Sequence, residues 1–178
     1  ISKGDATELY QRIRSLRPER ILELGSGSGC ATAVMALALP AEGRIVSLEQ
    51  WERCLVLSKR LIPSKLQEKI KFVFSPPAVF EDERVPFMRF ADYRDLPLAD
   101  GPFDFVLVDG PGDWQEQGKI VKLPAGGLFR LLPVLTPGAT VFVDGRKTSV
   151  RYYKKFLGAE LKLTEETLHH AVFRYLPQ

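Results

Sequence analysis

Two acidic residues and a run of alternating glycines have the spacing of a ligand site. Glu23 precedes Gly25, Gly27 and Gly29, and Glu49 ends the next apolar segment of the chain. Glycine accepts positive φ and lets a ligand approach the backbone closely. A carboxylate at the end of the second strand offers two acceptor oxygens to the hydroxyls of a ribose. These residues predict a crevice for a ligand that contains adenosine.

The acid before the glycines separates the adenosine ligands from one another. A dinucleotide fingerprint, G-x-G-x-x-G, holds a pyrophosphate at the N-terminus of the following helix. Here Cys30 stands at the sixth position of that pattern. The carboxylate of Glu23 would repel a phosphate at this loop, and it would suit a ligand that carries an ammonium and a sulfonium. An NAD(P)-binding oxidoreductase is therefore an alternative that this loop disfavours.

The segment 21–29, ILELGSGSG, resembles motif I of the class I S-adenosylmethionine-dependent methyltransferases, (V/I/L)-L-(E/D)-x-G-x-G-x-G. In that family the acid holds the methionine part of the cofactor, and the acid after the second strand binds the ribose. The resemblance implies a transferase that consumes S-adenosylmethionine and releases S-adenosylhomocysteine. The implied cofactor-binding residues are Glu23, Gly25, Ser26, Gly27, Gly29, Glu49, Gln50 and Trp51. Trp51 fits equally well a residue that packs at the start of the next helix.

Two segments compete for the third strand of the sheet. Ile70–Phe74 fits the spacing after the preceding helix better, and residues 79–98 then form a long surface excursion. Phe87–Ala91 is the alternative. Class I methyltransferases often carry an acid after this strand that accepts from the adenine amine, and Asp92 takes that role in the second case. In the first case Ser75 stands in its place, and Asp92 is a solvated loop residue.

Asp109 is the predicted catalytic residue. It follows the strand Phe103–Val108, at the edge where open α/β sheets bind their ligands. There it would orient an acceptor, act as a base or hold a metal, although an acid that only caps the turn is the simpler alternative. The segment 109–112, DGPG, lacks the Pro-Pro and the aromatic residue of the (D/N)-P-P-(Y/F) motif in amino-methylating nucleic-acid enzymes.

The metal-dependent catechol-type O-methyltransferases provide a second resemblance. They place an Asp after the fourth strand and an Asp-Asn pair after the fifth, and these residues hold Mg²⁺ together with the acceptor. Asp109 and Asp144 match two of the three positions, and Gly145 replaces the Asn. Mg²⁺ keeps several waters, so two carboxylates could suffice. The missing ligand nevertheless disfavours a metal.

Alternating strand and helix patterns position these residues. Segments with the apolar content of buried strands alternate with helical segments, which predicts right-handed βαβ units and a parallel sheet. The last two strands, 159–163 and 170–175, are expected to form a hairpin. The predicted fold is an α/β three-layer sandwich with a mostly parallel seven-stranded sheet and an antiparallel final strand, in a single domain over residues 1–178.

Composition restricts the partners and the compartment. The chain of 178 residues is 45% hydrophobic and 26% charged, with a net charge of +3. No apolar run reaches the length of a membrane span. Cys30 and Cys54 suit reduced thiols, which favours a cytoplasmic protein. Basic residues cluster at Arg146, Lys147, Arg151, Lys154 and Lys155.

The identity of the methyl acceptor is the property that the sequence predicts least well. The basic cluster keeps a nucleic-acid methyltransferase as an alternative, but the slight net charge does not favour it. Because the length leaves little room for a substrate domain, we expect a small-molecule acceptor that is methylated on oxygen or nitrogen. Tyr93 and Trp114 are candidates for the wall of its site. A cofactor-binding protein without catalysis is the remaining alternative.

Overall fold

The computed structural model describes residues 3–178, and a seven-stranded sheet forms its centre. The strands of the described chain are β1 (Arg20–Leu24), β2 (Arg44–Glu49), β3 (Ile70–Phe74), β4 (Pro77–Asp82), β5 (Val85–Tyr93), β6 (Phe103–Val108), β7 (Trp114–Glu116), β8 (Lys119–Val121), β9 (Leu135–Asp144), β10 (Leu161–Glu166) and β11 (His170–Tyr175). The helices are α1 (Lys3–Leu16), α2 (Cys30–Ala38), α3 (Glu52–Leu61), α4 (Ser64–Gln67), α5 (Gly127–Leu131) and α6 (Lys147–Phe156).

The order of the strands across the sheet is β10-β11-β9-β6-β1-β2-β3. Neighbours from β3 to β9 pair in parallel, whereas β11 is antiparallel to both β9 and β10. The predicted sheet with an antiparallel final strand is therefore confirmed. The carboxyl ends of β1, β2, β6 and β9 lie along one edge, where ligands bind in open α/β sheets.

The alternation of side chains along β1 explains the two layers of helices. Ile21 faces a core cluster that includes Leu9 of α1 and Met35 of α2. Leu22 and Leu24 face the opposite cluster, which includes residues of α5 and α6. Successive side chains of a strand point to opposite faces of the sheet. The acid at position 23 therefore lies on the same face as Ile21, beneath α2.

The segment after β3 differs from the expected surface excursion. Ile70–Phe74 does pair with β2 as the third strand, which confirms the preferred choice between the two segments. Residues 87–91 lie in β5, which forms an antiparallel hairpin with β4 outside the main sheet. Phe90 of this hairpin is fully buried, and its ring centroid lies 4.9 Å from that of Phe129 in α5. The hairpin thus contributes to the core, because its aromatic side chains pack against the helices beside it.

Two further features concern the residues after β6 and the lengths of the helices. The segment between β6 and α5 contains the short hairpin of β7 and β8. Within residues 3–178, every helix is too short or too polar to traverse a bilayer.

Candidate active site

A crevice of about 160 Å³ lies between the loops that follow β1, β2 and β6. Its lining residues are Gly25, Gly27, Glu49, Gln50, Trp51, Cys54, Tyr93, Asp109, Gly110 and Gly112. Most of the residues predicted from the sequence are among them. The fold brings them together because the carboxyl ends of neighbouring parallel strands meet at the same edge of the sheet.

The glycine loop shapes the crevice at two positions. Gly25 has φ 101°, and a Cβ added there would lie 2.8 Å from the Cα of Gly110 in the loop after β6. Gly27 has φ 51°, and a Cβ there would meet nothing within 4 Å. The first glycine therefore allows two loops to touch, whereas the second borders open space that a ligand can fill.

The two other residues predicted in this loop lie beside the crevice wall. Ser26 is buried, and its hydroxyl lies 3.4 Å from Oε2 of Glu49. A Cβ added at Gly29 would meet Ser58, which belongs to α3, and Ile62, which directly follows that helix. Ser26 thus contacts Glu49, which lines the crevice. Gly29 lacks a side chain and so allows the loop to approach α3 closely.

Glu49 is held in place by main-chain donors. Its Oε2 accepts from the N–H of Gly27 at 2.7 Å, and its Oε1 accepts from the N–H groups of Gln50 and Trp51, both at 2.8 Å. The contact to the hydroxyl of Ser26 is longer than these by more than half an ångström and is correspondingly weak. The backbone orients the carboxylate of Glu49 in this way, and Oε2 retains the capacity to accept from a ligand hydroxyl.

Glu23 is fully buried beneath the glycine loop and does not line the crevice. Its Oε2 accepts from the hydroxyls of Thr32 at 2.7 Å and of Ser47, whereas its Oε1 has no hydrogen-bond partner. Burial raises the pKa of Glu23 to about 7, against the opposing effect of those two hydroxyls. An unpaired carboxylate oxygen in this position favours a nearby positive charge, since such a charge would stabilise the ionised form.

Gln50 and Trp51 occupy different environments at the start of α3. The side-chain oxygen of Gln50 accepts from the N–H of Gly112 at 2.7 Å, which joins the loops after β2 and β6 across the crevice. Trp51 is 40% exposed, and the guanidinium of Arg53 lies 5.8 Å from its ring centroid. Trp51 thus lies at the crevice rim, partly exposed and with Arg53 over its ring.

The structure does not bring Asp92 to the crevice, and it is not a solvated loop residue either. Its side chain is fully buried within β5, where Oδ2 accepts from Arg130 at 2.7 Å and Oδ1 has no partner. A Cβ added at Gly127 would lie 3.1 Å from that Oδ1. Burial raises the pKa of Asp92 to about 6. The neighbouring Tyr93 lines the crevice instead, and its hydroxyl approaches Gly110.

Asp109 lines the other side of the crevice, directly after β6, and Asp144 ends the neighbouring strand β9. Burial raises the pKa of Asp109 to about 6, and the negative charge of Asp144 adds to this effect. Burial also raises the pKa of Asp144. Arg146, just before α6, donates from Nη2 to the main-chain oxygen of Asp109 at 2.5 Å. This part of the site combines a carboxylate that can accept a proton near neutral pH with a fixed positive charge.

Within the part of the chain that the structure describes, three potential metal ligands converge at one place, Glu8, Glu165 and His170. None of them lines the crevice. The guanidinium of Arg12 donates to both carboxylates, at 2.6 and 2.9 Å. This cluster is an ion-pair network that joins α1 to the hairpin of β10 and β11.

Among the residues that the sequence reasoning missed, three serve the site through their side chains. Thr32 and Ser47 bind Glu23, and Cys54 lines the crevice from α3. The signal for the first two was a hydroxyl within an otherwise apolar helix or strand. Such a residue needs a buried partner. Cys54 carried no comparable signal, because a cysteine within a helix is compatible with many environments.

Comparison with known proteins places this geometry among the O-methyltransferases. The sequence profile of the protein-L-isoaspartate(D-aspartate) O-methyltransferases (PCMT) matches residues 4–95. The transmembrane O-methyltransferase of Propithecus coquereli is 28% identical over 148 residues, which cover 81% of this chain and 52% of that protein. The chain thus spans about half the length of this curated relative, and the same holds for the Macaca mulatta protein, at 48%.

Solved structures agree in fold. The O-methyltransferase TomG of Streptomyces achromogenes, in complex with S-adenosylmethionine, has a TM-score of 0.68 at 20% identity and covers 99% of this chain and 82% of its own. An O-methyltransferase of Bacillus cereus in complex with S-adenosylhomocysteine has a TM-score of 0.68 at 16% identity, with coverages of 99% and 82%. At these identities the likeness establishes the class I methyltransferase fold.

Proposed function

We propose that this chain, which belongs to the protein-L-isoaspartate(D-aspartate) O-methyltransferase family, transfers the methyl group of S-adenosylmethionine to an oxygen atom of a small-molecule acceptor. The product of the cofactor is then S-adenosylhomocysteine. The observation that carries the proposal is the crevice itself. It places the oriented carboxylate of Glu49 beside the open space at Gly27, and it places Asp109 on the opposite wall.

The residues around the crevice fit the cofactor. Glu49 offers an acceptor oxygen to the ribose hydroxyls, and the open space at Gly27 admits a ligand close to the backbone. The unpaired Oε1 of Glu23 favours the positive charge of the methionine part. We assign Gln50 and Trp51 to the adenosine side, and Gly25, Ser26 and Gly29 to the shape of the loop. Bound there, the cofactor supplies a methyl group that its sulfonium already activates.

Asp109 is the residue that we assign to the acceptor. A carboxylate with a pKa of about 6 is mostly ionised at neutral pH, and it binds a proton more readily than an ordinary aspartate does. It can therefore take the proton of an acceptor hydroxyl while holding that oxygen in position. Methyl transfer needs little more than positioning and this deprotonation.

Isothermal titration calorimetry tests the cofactor. We expect S-adenosylmethionine and S-adenosylhomocysteine to bind and NADH not to bind. Glu49→Gln should weaken both by about 10-fold or more, since hydrogen bonds to a charged group contribute roughly 1.5–3 kcal/mol. Glu52→Gln, which removes an exposed carboxylate from the first turn of α3, is the matched control. Tight binding of NADH alone would overturn the assignment.

A transfer assay with radiolabelled S-adenosylmethionine then tests the acceptor. Catechol represents the small hydroxylated acceptors, and a peptide with an L-isoaspartyl residue represents the carboxylate acceptors in the name of the family. Transfer to catechol, reduced by Asp109→Asn, supports the proposal. Transfer to the peptide alone would instead assign a protein acceptor.

Other features remain predictions. A cytoplasmic location suits the two free thiols of Cys30 and Cys54. We expect Asp92 to act on the cofactor only indirectly, through its neighbour Tyr93. A single domain over residues 1–178 is the organisation that we expect.

A further inference from the structure

Arg146 is a half-buried positive charge that the cofactor does not need. It follows Asp144 and Gly145 and directly precedes α6. Its Nη2 donates to the main-chain oxygen of Asp109, which lines the crevice. This hydrogen bond anchors the guanidinium beside the acceptor wall, the side of the crevice that contains Asp109. The Nε of Arg146 is buried and has no hydrogen-bond partner. A guanidinium has five N–H donors, so most of its capacity is available to another group.

The charge of Arg146 acts on the groups that line the crevice. Burial raises the pKa of Asp109 and of Tyr93, and in each case the positive charge of Arg146 opposes that effect. The same opposition acts on Asp144. Arg146 nevertheless forms no ion pair with a carboxylate among those found in residues 3–178. The positive charge of Arg146 therefore acts on the acceptor wall, and no carboxylate neutralises it by direct contact.

These residues do not fit the Mg²⁺ site of the catechol-type enzymes. Gly145 has no side chain to supply the third ligand, and its N–H donates to the main-chain oxygen of His169 at 2.7 Å. The guanidinium of Arg146 is held by the main-chain oxygen of Asp109, and its positive charge acts on both carboxylates. This charge repels a divalent cation. Two carboxylates that share their surroundings with a permanent cation are a poor Mg²⁺ site.

We propose that Arg146 takes the place of the divalent cation: it stabilises the negative charge that develops on the acceptor oxygen, and the acceptor is a phenol. The proposal rests on the methyl-transfer function proposed above. In this step the acceptor O–H proton passes to the carboxylate of Asp109. The O–CH₃ bond forms as the S–CH₃ bond breaks, which leaves S-adenosylhomocysteine with a neutral sulfur.

The charges of the acceptor wall favour a phenol over other oxygen acceptors. A carboxylate acceptor would meet Asp109 and Asp144, which carry the same charge. A phenol has a pKa near 10, as in tyrosine, so a carboxylate of pKa about 6 can remove its proton when a guanidinium stabilises the phenolate. An aliphatic alcohol holds its proton far more tightly.

Binding of 4-nitrocatechol tests the proposal directly, since its visible spectrum reports whether its hydroxyl is ionised. The probe is added to the protein with saturating S-adenosylhomocysteine and EDTA. We expect the wild-type protein to shift the spectrum toward the phenolate at a pH where the free probe is protonated. Arg146→Gln should abolish the shift, and Arg146→Lys should restore part of it. Arg151→Gln, which removes an exposed arginine from α6, is the matched control.

Transfer kinetics on 4-nitrocatechol provide the second measurement. Arg146→Gln should lower kcat about 100-fold, as expected for the loss of one group that stabilises an oxyanion. Millimolar methylguanidinium should recover part of this loss, and neither EDTA nor Mg²⁺ should change the wild-type rate. Calorimetry with S-adenosylhomocysteine shows whether Arg146→Gln is folded, because its cofactor site is unaltered.

Three results would overturn the proposal. They are a wild-type protein that needs Mg²⁺ for the spectral shift or the transfer, a wild-type protein that leaves the probe unshifted, and an Arg146→Gln variant that matches the wild type. Failure of the wild type to bind S-adenosylhomocysteine would instead reject the methyl-transfer function itself.

Discussion

Glu23→Gln should change how the stability of the protein depends on pH. Burial raises the pKa of Glu23 from 4.5 to about 7 in the folded protein. Ionisation is therefore harder in the folded state than in the unfolded chain. Below pH 4.5 the carboxyl is protonated in both states, and its contribution to the free energy of unfolding is fully present. That contribution is lost as the pH rises through 7. The interval between the two pKa values corresponds to roughly 3 kcal/mol at most.

The expected magnitude follows from that interval. Between pH 5 and pH 8, the wild type should lose roughly 2–3 kcal/mol of unfolding free energy relative to Glu23→Gln. For a domain of this size, 1 kcal/mol shifts Tm by about 2–4 °C, so the two melting curves should diverge by roughly 5–10 °C. The amide still accepts from Thr32 and Ser47, and any fixed cost of its N–H₂ group is the same at every pH.

The assay is urea unfolding of both proteins at several pH values, combined with calorimetry. If a positive charge of the cofactor lies near Glu23, binding of S-adenosylhomocysteine at pH 7 should release about half a proton more from the wild type than from Glu23→Gln. Proton release is obtained from titrations in buffers of different ionisation enthalpy. Stability curves that run parallel from pH 5 to pH 8 would refute the reasoning, because they would show that Glu23 does not titrate in this range.

Three further changes have defined outcomes. Gly110→Ala should lower cofactor affinity and Tm together, because the new Cβ falls on the hydroxyl of Tyr93; adding Tyr93→Phe should recover part of the loss in the same calorimetric assay. Arg130→Gln should cost roughly 3 kcal/mol in urea unfolding, since it leaves Asp92 buried without its counter-charge, and Asp92→Asn should relieve that cost. Hydrogen bonds from His170 and Arg12 lower the pKa of Glu165. The stability that this carboxylate provides is therefore lost as the pH falls below the ordinary pKa of a glutamate. Glu165→Gln should flatten this acidic part of a Tm-against-pH curve, and an unchanged slope would count against it.

The sheet and the glycine loop could be predicted because their signals are local. The bounds of β1, β3, β6 and β11 follow from apolar runs that end at Gly, Pro or charged residues. The glycines predicted a tight loop because their backbone conformations are closed to other residues. Glu49 and Asp109 reached the crevice because each directly follows or ends a parallel strand, and such ends share one edge of the sheet.

The remaining features depend on contacts between distant segments. The prediction that residues 79–98 form a surface excursion was wrong because the aromatic residues of that hairpin pack against α5 and α6. Asp92 was expected at the adenine or in solvent, but Arg130, far along the chain, binds it in the core. The role that we assign to Arg146 likewise depends on its contact with Asp109, which follows another strand. No window of sequence around any of these residues contains its partner.

The hydrogen bond between Gln50 and Gly112 leads us to expect a fixed order of ligand binding. It spans the crevice, whose 160 Å³ is below the roughly 300–1,000 Å³ of small-molecule pockets. We therefore expect the two loops to separate when the nucleoside enters, and its association rate to lie well below the diffusion limit. Once they close again over it, the second substrate meets a completed wall. Turnover should then follow an ordered sequence, in which the methylated product leaves before the spent nucleoside.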